Sequence, residues 1–152
     1  MYKIMFVCHG NICRSPMAEF VMKDLVRKAG REGEFFIASS GVSSEEIWGD
    51  TGNPVYPPVR ALLAARGISC GDKRAVQLTK ADGDRYDLFV CMDEGNLRGA
   101  KRILGAGNAG KCRKLLSFAG GDEDVSDPWY TRDFQTAYED ILRGCQGVLE
   151  EV

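Results

Sequence analysis

Histidine occurs once in the 152 residues, at position 9, so a mechanism that needs a nucleophile and a separate histidine base is closed to this chain. No Cys-x-x-Cys pair is present. The six cysteines stand at 8, 13, 70, 91, 112 and 145, a dispersion that suits neither a zinc site nor the disulfide framework of a small secreted domain. No apolar run approaches membrane-spanning length, and no basic run occurs: 20 Lys and Arg stand against 22 Asp and Glu, for a net charge of −2. Nucleic acid and membranes are therefore not expected partners. Met1-Tyr2-Lys3 leads straight into an apolar strand without a signal-peptide pattern, so a cytoplasmic location is expected unless export uses a route without such a peptide. Repeats and low-complexity segments are also absent, which excludes solenoids and arrays. What remains is one domain spanning 1–152, a monomer by default, 44% hydrophobic and long enough to bury a core without metal or disulfide.

The chain is organised around its first sixteen residues. Ile4-Met5-Phe6-Val7 has no polar alternation, as in a parallel strand covered on both faces. Gly10 and Asn11, which tolerate positive φ, form a tight loop, and Ser15-Pro16 reads as N-cap and first helical position. Backbone N–H groups converge at such a strand–loop–helix junction, and the helix dipole adds positive potential, so the place suits an oxyanion. Cys8 stands at the mouth of this loop, where the same field favours thiolate over thiol. Arg14, six residues on, can fold over the loop and grip two oxygens of a tetrahedral anion. Nucleophile and anion clamp thus face one point, and the implied chemistry is thiolate attack on a phosphate ester through a phosphocysteine.

Further along, Met17 to Lys28 keeps helical spacing until Gly30, and Phe35-Phe36-Ile37-Ala38 is a second strand. Residues 42–58 read as a polar surface loop carrying Trp48, either incidental packing or part of a cleft wall. A helix follows from Pro58, then a strand at Ala75–Leu78 and a capped turn at Thr79–Asp82. Leu88-Phe89-Val90-Cys91-Met92 is a central strand, and Asp93 follows it as an N-cap or as a group near the loop. Gly105 to Cys112 nearly spells a nucleotide-binding motif, but Cys112 lacks the hydroxyl that would bind Mg²⁺, and a strand at Lys114–Phe118 follows where a helix is needed. An acidic loop, 122–130, and an amphipathic helix from Phe134 to Leu149 complete the chain. Strands alternating with helices imply an α/β fold, doubly wound, with a central four-stranded parallel sheet flanked by helices on both faces.

Cys8-His9-Gly10-Asn11-Ile12-Cys13-Arg14-Ser15-Pro16 resembles the phosphate-binding loop of the low-molecular-weight protein tyrosine phosphatases. The resemblance extends to Cys91-Met92-Asp93-Glu94-Gly95-Asn96-Leu97 and to Asp127-Pro128, in the family's order. It implies a metal-independent, cofactor-free phosphatase acting on phosphotyrosine-containing proteins or small aryl phosphates. Under it Cys8 is the nucleophile and Arg14 the phosphate clamp, with His9, Gly10, Asn11, Ile12 and Cys13 forming the rest of the cradle. Asp93 would support Arg14. Asp127 would be the general acid and base, since a phenolate with parent pKa of about 10 leaves more readily when protonated. Trp129 and Tyr130 would wall the substrate ring, Trp48 would lie beside it, and Tyr130 could itself accept a phosphate. Ser15 is expected to hydrogen-bond Cys8, and Asn11 to hold the loop's unusual backbone. Cys13 is either a buried filler or a thiol able to trap oxidised Cys8 as a disulfide.

Three rivals remain. Arginine phosphatases, close relatives, carry a small polar residue where this chain has Ile12. Arsenate reductases need two further, closely spaced cysteines, and Cys91 has no such neighbour in sequence. A non-catalytic phosphate-binding module would not need Cys8, Arg14 and Asp127 together.

Overall fold

Residues 4–7 send alternate side chains into two separate hydrophobic layers, which explains why their sequence shows no polar alternation. In the computed structural model, which describes residues 1–152, the chain runs through β1 (Tyr2–Cys8), α1 (Arg14–Lys28), β2 (Phe35–Gly41), β3 (Ile47–Trp48), β4 (Thr51–Gly52), α2 (Pro57–Ala64), β5 (Leu88–Cys91), α3 (Glu94–Leu104), β6 (Cys112–Lys114), α4 (Pro128–Thr131) and α5 (Phe134–Glu151). The main sheet has the order β2-β1-β5-β6 and is parallel throughout. Tyr2 pairs with Phe35 and Cys8 with Gly41 on one side of β1, and Ile4 pairs with Leu88 on the other. Ile4, Phe6, Leu88 and Val90 pack with Met17 and Val21 of α1 and Ile141 and Val148 of α5. Met5, Val7, Phe89 and Cys91 face Ala100 and Leu104 of α3. The fold is therefore α/β with both sheet faces covered. No helix is long and apolar enough to cross a membrane.

The strand order turns at β1, where α1 leads to β2 on one side while β5 occupies the other. Such a switch point leaves a crevice beyond the carboxyl ends of the strands. Cys8 ends β1, and Asp93 follows β5 and caps α3, its Oδ1 accepting from Asn96 N at 2.7 Å.

Local expectations differ from the structure at four places. Helix α1 starts at Arg14 with Cys13 as its N-cap and no side-chain cap, so Ser15 is not the cap and Pro16 is not the first helical residue. The strand expected at 75–78 is reduced to a parallel bridge between Gly41 and Gln77, flanked by Gly41 N to Val76 O and Leu78 N to Gly41 O hydrogen bonds. The last sheet strand is Cys112–Lys114, and Leu115 to Phe118, expected to be extended, lie in the 3₁₀ turns of Leu115–Ala119. Residues 42–58 contain the small β3–β4 hairpin. The capped turn at Thr79 is present with both of its reciprocal bonds. In the glycine-rich 105–112 segment, Lys111 Nζ donates to the carbonyls of Gly83 and Tyr86 and so faces the protein.

Candidate active site

The loop after β1 is held from beneath by one side chain. Asn11 adopts φ 62°, a conformation that L-residues other than Asn and Asp rarely accept. Its Oδ1 accepts Val76 N–H at 3.0 Å, which turns Nδ2 toward two hydroxyls, Ser15 Oγ at 2.8 Å and Ser39 Oγ at 3.0 Å. Ser39 donates its own proton to Glu19 Oε1 at 2.6 Å, and Lys23 Nζ lies 2.6 Å from the other oxygen of that buried carboxylate. Ser15 Oγ, already accepting from Asn11, lies 2.9 Å from Cys8 Sγ and 3.3 Å from Ser40 O, so its proton has two acceptors within reach, the nearer being the sulfur. Asn11 N–H also points at Cys8 Sγ, at 3.3 Å. Two hydrogen-bond donors are thus arranged around one sulfur, which favours negative charge there.

Gly41, opposite Cys8 in β2, is where the sheet must yield space to this loop. A Cβ there would stand 2.6 Å from His9 O and 3.1 Å from Asn11 N. Helical hydrogen bonding starts with Met17 N to Cys13 O at 3.1 Å, so the N–H groups of Arg14 and Ser15 have no intrahelical acceptor.

Arg14 is almost fully buried yet reaches across the site. Its Nη1 donates to Asp93 Oδ2 at 2.9 Å and to Val125 O at 2.7 Å, and its Nη2 lies 3.5 Å from Asp127 Oδ2. Asp127 caps the short α4, Oδ1 accepting from Trp129 N at 3.0 Å, and Pro128 fixes the first helical position. Tyr56 ties the two halves together: its N–H donates to Ile12 O at 2.9 Å, and its ring lies 4.9 Å from that of Trp129.

These groups enclose a cleft of about 410 Å³ lined by Cys8, His9, Gly10, Ile12, Cys13, Arg14, Glu45, Glu46, Asp127, Trp129 and Tyr130. Asn11, Ser15 and Asp93 lie behind its wall, as supports. Trp48 is not among the lining residues; it stands on the β3–β4 hairpin, 74% exposed. The loop contributes Glu45 and Glu46 instead, and Glu45 Oε1 pairs with His9 Nε2 at 2.9 Å. A polar loop gives no local sign of which of its residues turns inward, so these two carboxylates were not foreseen. Nor were Glu19, Ser39, Gly41 and Tyr56, whose roles depend on contacts distant in sequence.

Cys13 is buried in the cleft wall, and its thiol is pushed up to about 12, mainly by burial and then by Cys8 and Asp127 nearby. Cys91 and Cys112 share one sheet face on adjacent strands, but both are buried toward α3 and neither lines the cleft. No group of three or more His, Cys, Asp or Glu side chains is placed to hold a metal ion.

Comparison with known proteins gives concordant matches. The family model described as low molecular weight phosphotyrosine protein phosphatase matches residues 3–152. The low molecular weight protein-tyrosine-phosphatase YfkJ of Bacillus subtilis is 34% identical over 154 residues, which cover 100% of this chain and 96% of that protein. The crystal structure of YfkJ superposes with a TM-score of 0.91 at 35% identity, covering 99% of this chain and 94% of that one. A crystal structure of DARP, a Drosophila arginine phosphatase, superposes with a TM-score of 0.88 at 29% identity, covering 98% and 96%.

Proposed function

The chain belongs to the low-molecular-weight phosphotyrosine protein phosphatase family, and on that premise we propose that it hydrolyses phosphotyrosine through a phosphocysteine on Cys8. The observation that carries this reading is the meeting of Cys8, Arg14 and Asp127 in one cleft with aromatic walls. The thiolate attacks phosphorus in line with the tyrosine oxygen. Arg14 and the loop N–H groups stabilise the equatorial oxygens as charge develops. Asp127 gives its proton to the departing tyrosine oxygen as the P–O bond breaks. Now a carboxylate, it takes a proton from the water that attacks the phosphocysteine, releasing phosphate and restoring the thiolate. Ser15 and Asn11 N–H stabilise the sulfur anion both before attack and on its departure.

Ile12, an apolar part of the cleft wall, favours an aryl group over a guanidinium. A second reading, phosphoarginine hydrolysis, draws support from the likeness to DARP and from Glu45 and Glu46, whose carboxylates suit a cationic substrate. Steady-state hydrolysis of a phosphotyrosine peptide and of phosphoarginine, side by side in EDTA with Cys8→Ser as control, separates the two. Preference for phosphotyrosine, lost in Cys8→Ser, is expected. Preference for phosphoarginine refutes the reading of Ile12, and substantial turnover by Cys8→Ser refutes the covalent mechanism.

A further inference from the structure

Lys114 ends the edge strand β6 with a side chain only 9% exposed. It donates to Asp122 O at 2.7 Å and to Asp124 Oδ1 at 2.9 Å, with the carboxylates of Asp122 and Glu94 at 3.7 and 3.8 Å. Asp124 Oδ1 also accepts from Glu94 N at 3.0 Å, at the start of α3 and next to Asp93. One residue later, Val125 N donates to Met92 O at 2.8 Å while Val125 O accepts from Arg14 at 2.7 Å. Asp127 follows two residues on. The segment that presents the acid is thus tied to the sheet and to α3 through Lys114 and Asp124, and its only link to the clamp before Asp127 is the Val125 carbonyl. The Asp124 hydrogen bond raises the lysine's pKa, so the tie stays charged across the neutral range.

We propose that Lys114 is a positioning residue for the proton-transfer step: through Asp122 and Asp124 it sets where Asp127 stands relative to the leaving oxygen. This rests on the hydrolase reading above. A merely structural lysine would affect all substrates alike when replaced, whereas a lysine that places the acid matters in proportion to how much protonation the leaving group needs. The test compares kcat/KM for phenyl phosphate, whose phenolate needs a proton, with that for 2,4-dinitrophenyl phosphate, whose phenolate leaves without one. Lys114→Met keeps the side-chain length and removes the charge. Asp124→Asn, at a half-exposed position, weakens the same contact with little risk to folding.

Both variants should lose about tenfold on phenyl phosphate, a fraction of the 10²–10⁴ that a general acid supplies, and stay within about twofold of wild type on the dinitrophenyl ester. The double variant should be no worse than Lys114→Met alone. In Lys114→Met, amide hydrogen exchange at Val125 should also quicken. Equal losses on both esters, no loss on either, or unchanged exchange would overturn the proposal while leaving the hydrolase reading intact. A wild type inactive on both esters would remove the hydrolase reading and this proposal with it.

Discussion

Asn11→Ala isolates what the left-handed residue of the phosphate loop contributes. The substitution removes three hydrogen bonds, from Nδ2 to Ser15 and Ser39 and from Val76 N to Oδ1, at about 1 kcal/mol each. Alanine at φ 62° adds about 1 kcal/mol of backbone strain that asparagine largely escapes. The expected loss is about 3–4 kcal/mol, a large share of the 5–15 kcal/mol typical of a domain. With a urea slope of about 2 kcal/mol/M, the unfolding midpoint should fall by about 2 M. Asn11→Gly sheds that strain of about 1 kcal/mol but gains about 0.4–1 kcal/mol of unfolded-chain entropy. It should therefore be at least as stable as Asn11→Ala, by up to about 0.6 kcal/mol. Activity should not follow stability. Both variants leave Ser15 without the amide that orients it toward Cys8, and both should lose about 100-fold in kcat/KM, the scale of one misplaced oxyanion donor. Urea unfolding and steady-state kinetics on the three proteins decide the matter. A near-wild-type midpoint for Asn11→Ala, or a Gly variant with restored activity, would refute the claim that this side chain holds the cradle.

Gly41→Ala places a Cβ within 2.6 Å of His9 O, so the loop must shift and kcat/KM should fall at least about tenfold, well beyond any loss of stability; full activity would show that the loop is not close-fitted to β2. Peroxide-inactivated enzyme should recover with dithiothreitol in wild type and less so in Cys13→Ala. Because the Cys13 thiol is pushed up to about 12, its thiolate fraction, and hence the rate of disulfide closure, should rise about tenfold per pH unit through the neutral and mildly alkaline range. Full recovery of Cys13→Ala would refute the protective role, and a closure rate flat in pH would refute attack by the Cys13 thiolate. Glu45→Gln with Glu46→Gln removes two negative charges from a cleft that must admit a phosphate dianion. The variant should raise kcat/KM for small aryl phosphates about threefold at low salt, with the gain fading as ionic strength rises; no gain would mean that the dianion does not sense this rim.

The parts of the site that could be read in the sequence are those whose logic is local. Cys8 and Arg14 share one loop, Asp93 directly follows a strand end, and Asp127 carries its own proline. Their distant partners cannot be read, because Glu19, Ser39, Val76 and Lys114 acquire meaning only where the sheet and helices bring them together. The mistaken local readings follow the same rule. Ser15 looks like a cap, but its hydroxyl lies between Asn11 and Cys8, and the helix starts two residues earlier than that cap implies, at Arg14, without a side-chain cap. Ala75–Leu78 has the composition of a strand, yet Val76 gives its N–H to Asn11 and only Gln77 forms a bridge to β2. The final strand stops at Lys114, whose ammonium turns to the acidic segment while Leu115 begins a 3₁₀ turn. At each of these places a polar group of the local segment is committed to Cys8, Asn11 or the segment before Asp127. Local propensity gives way where the catalytic groups must be held, which makes such departures a guide to the site itself.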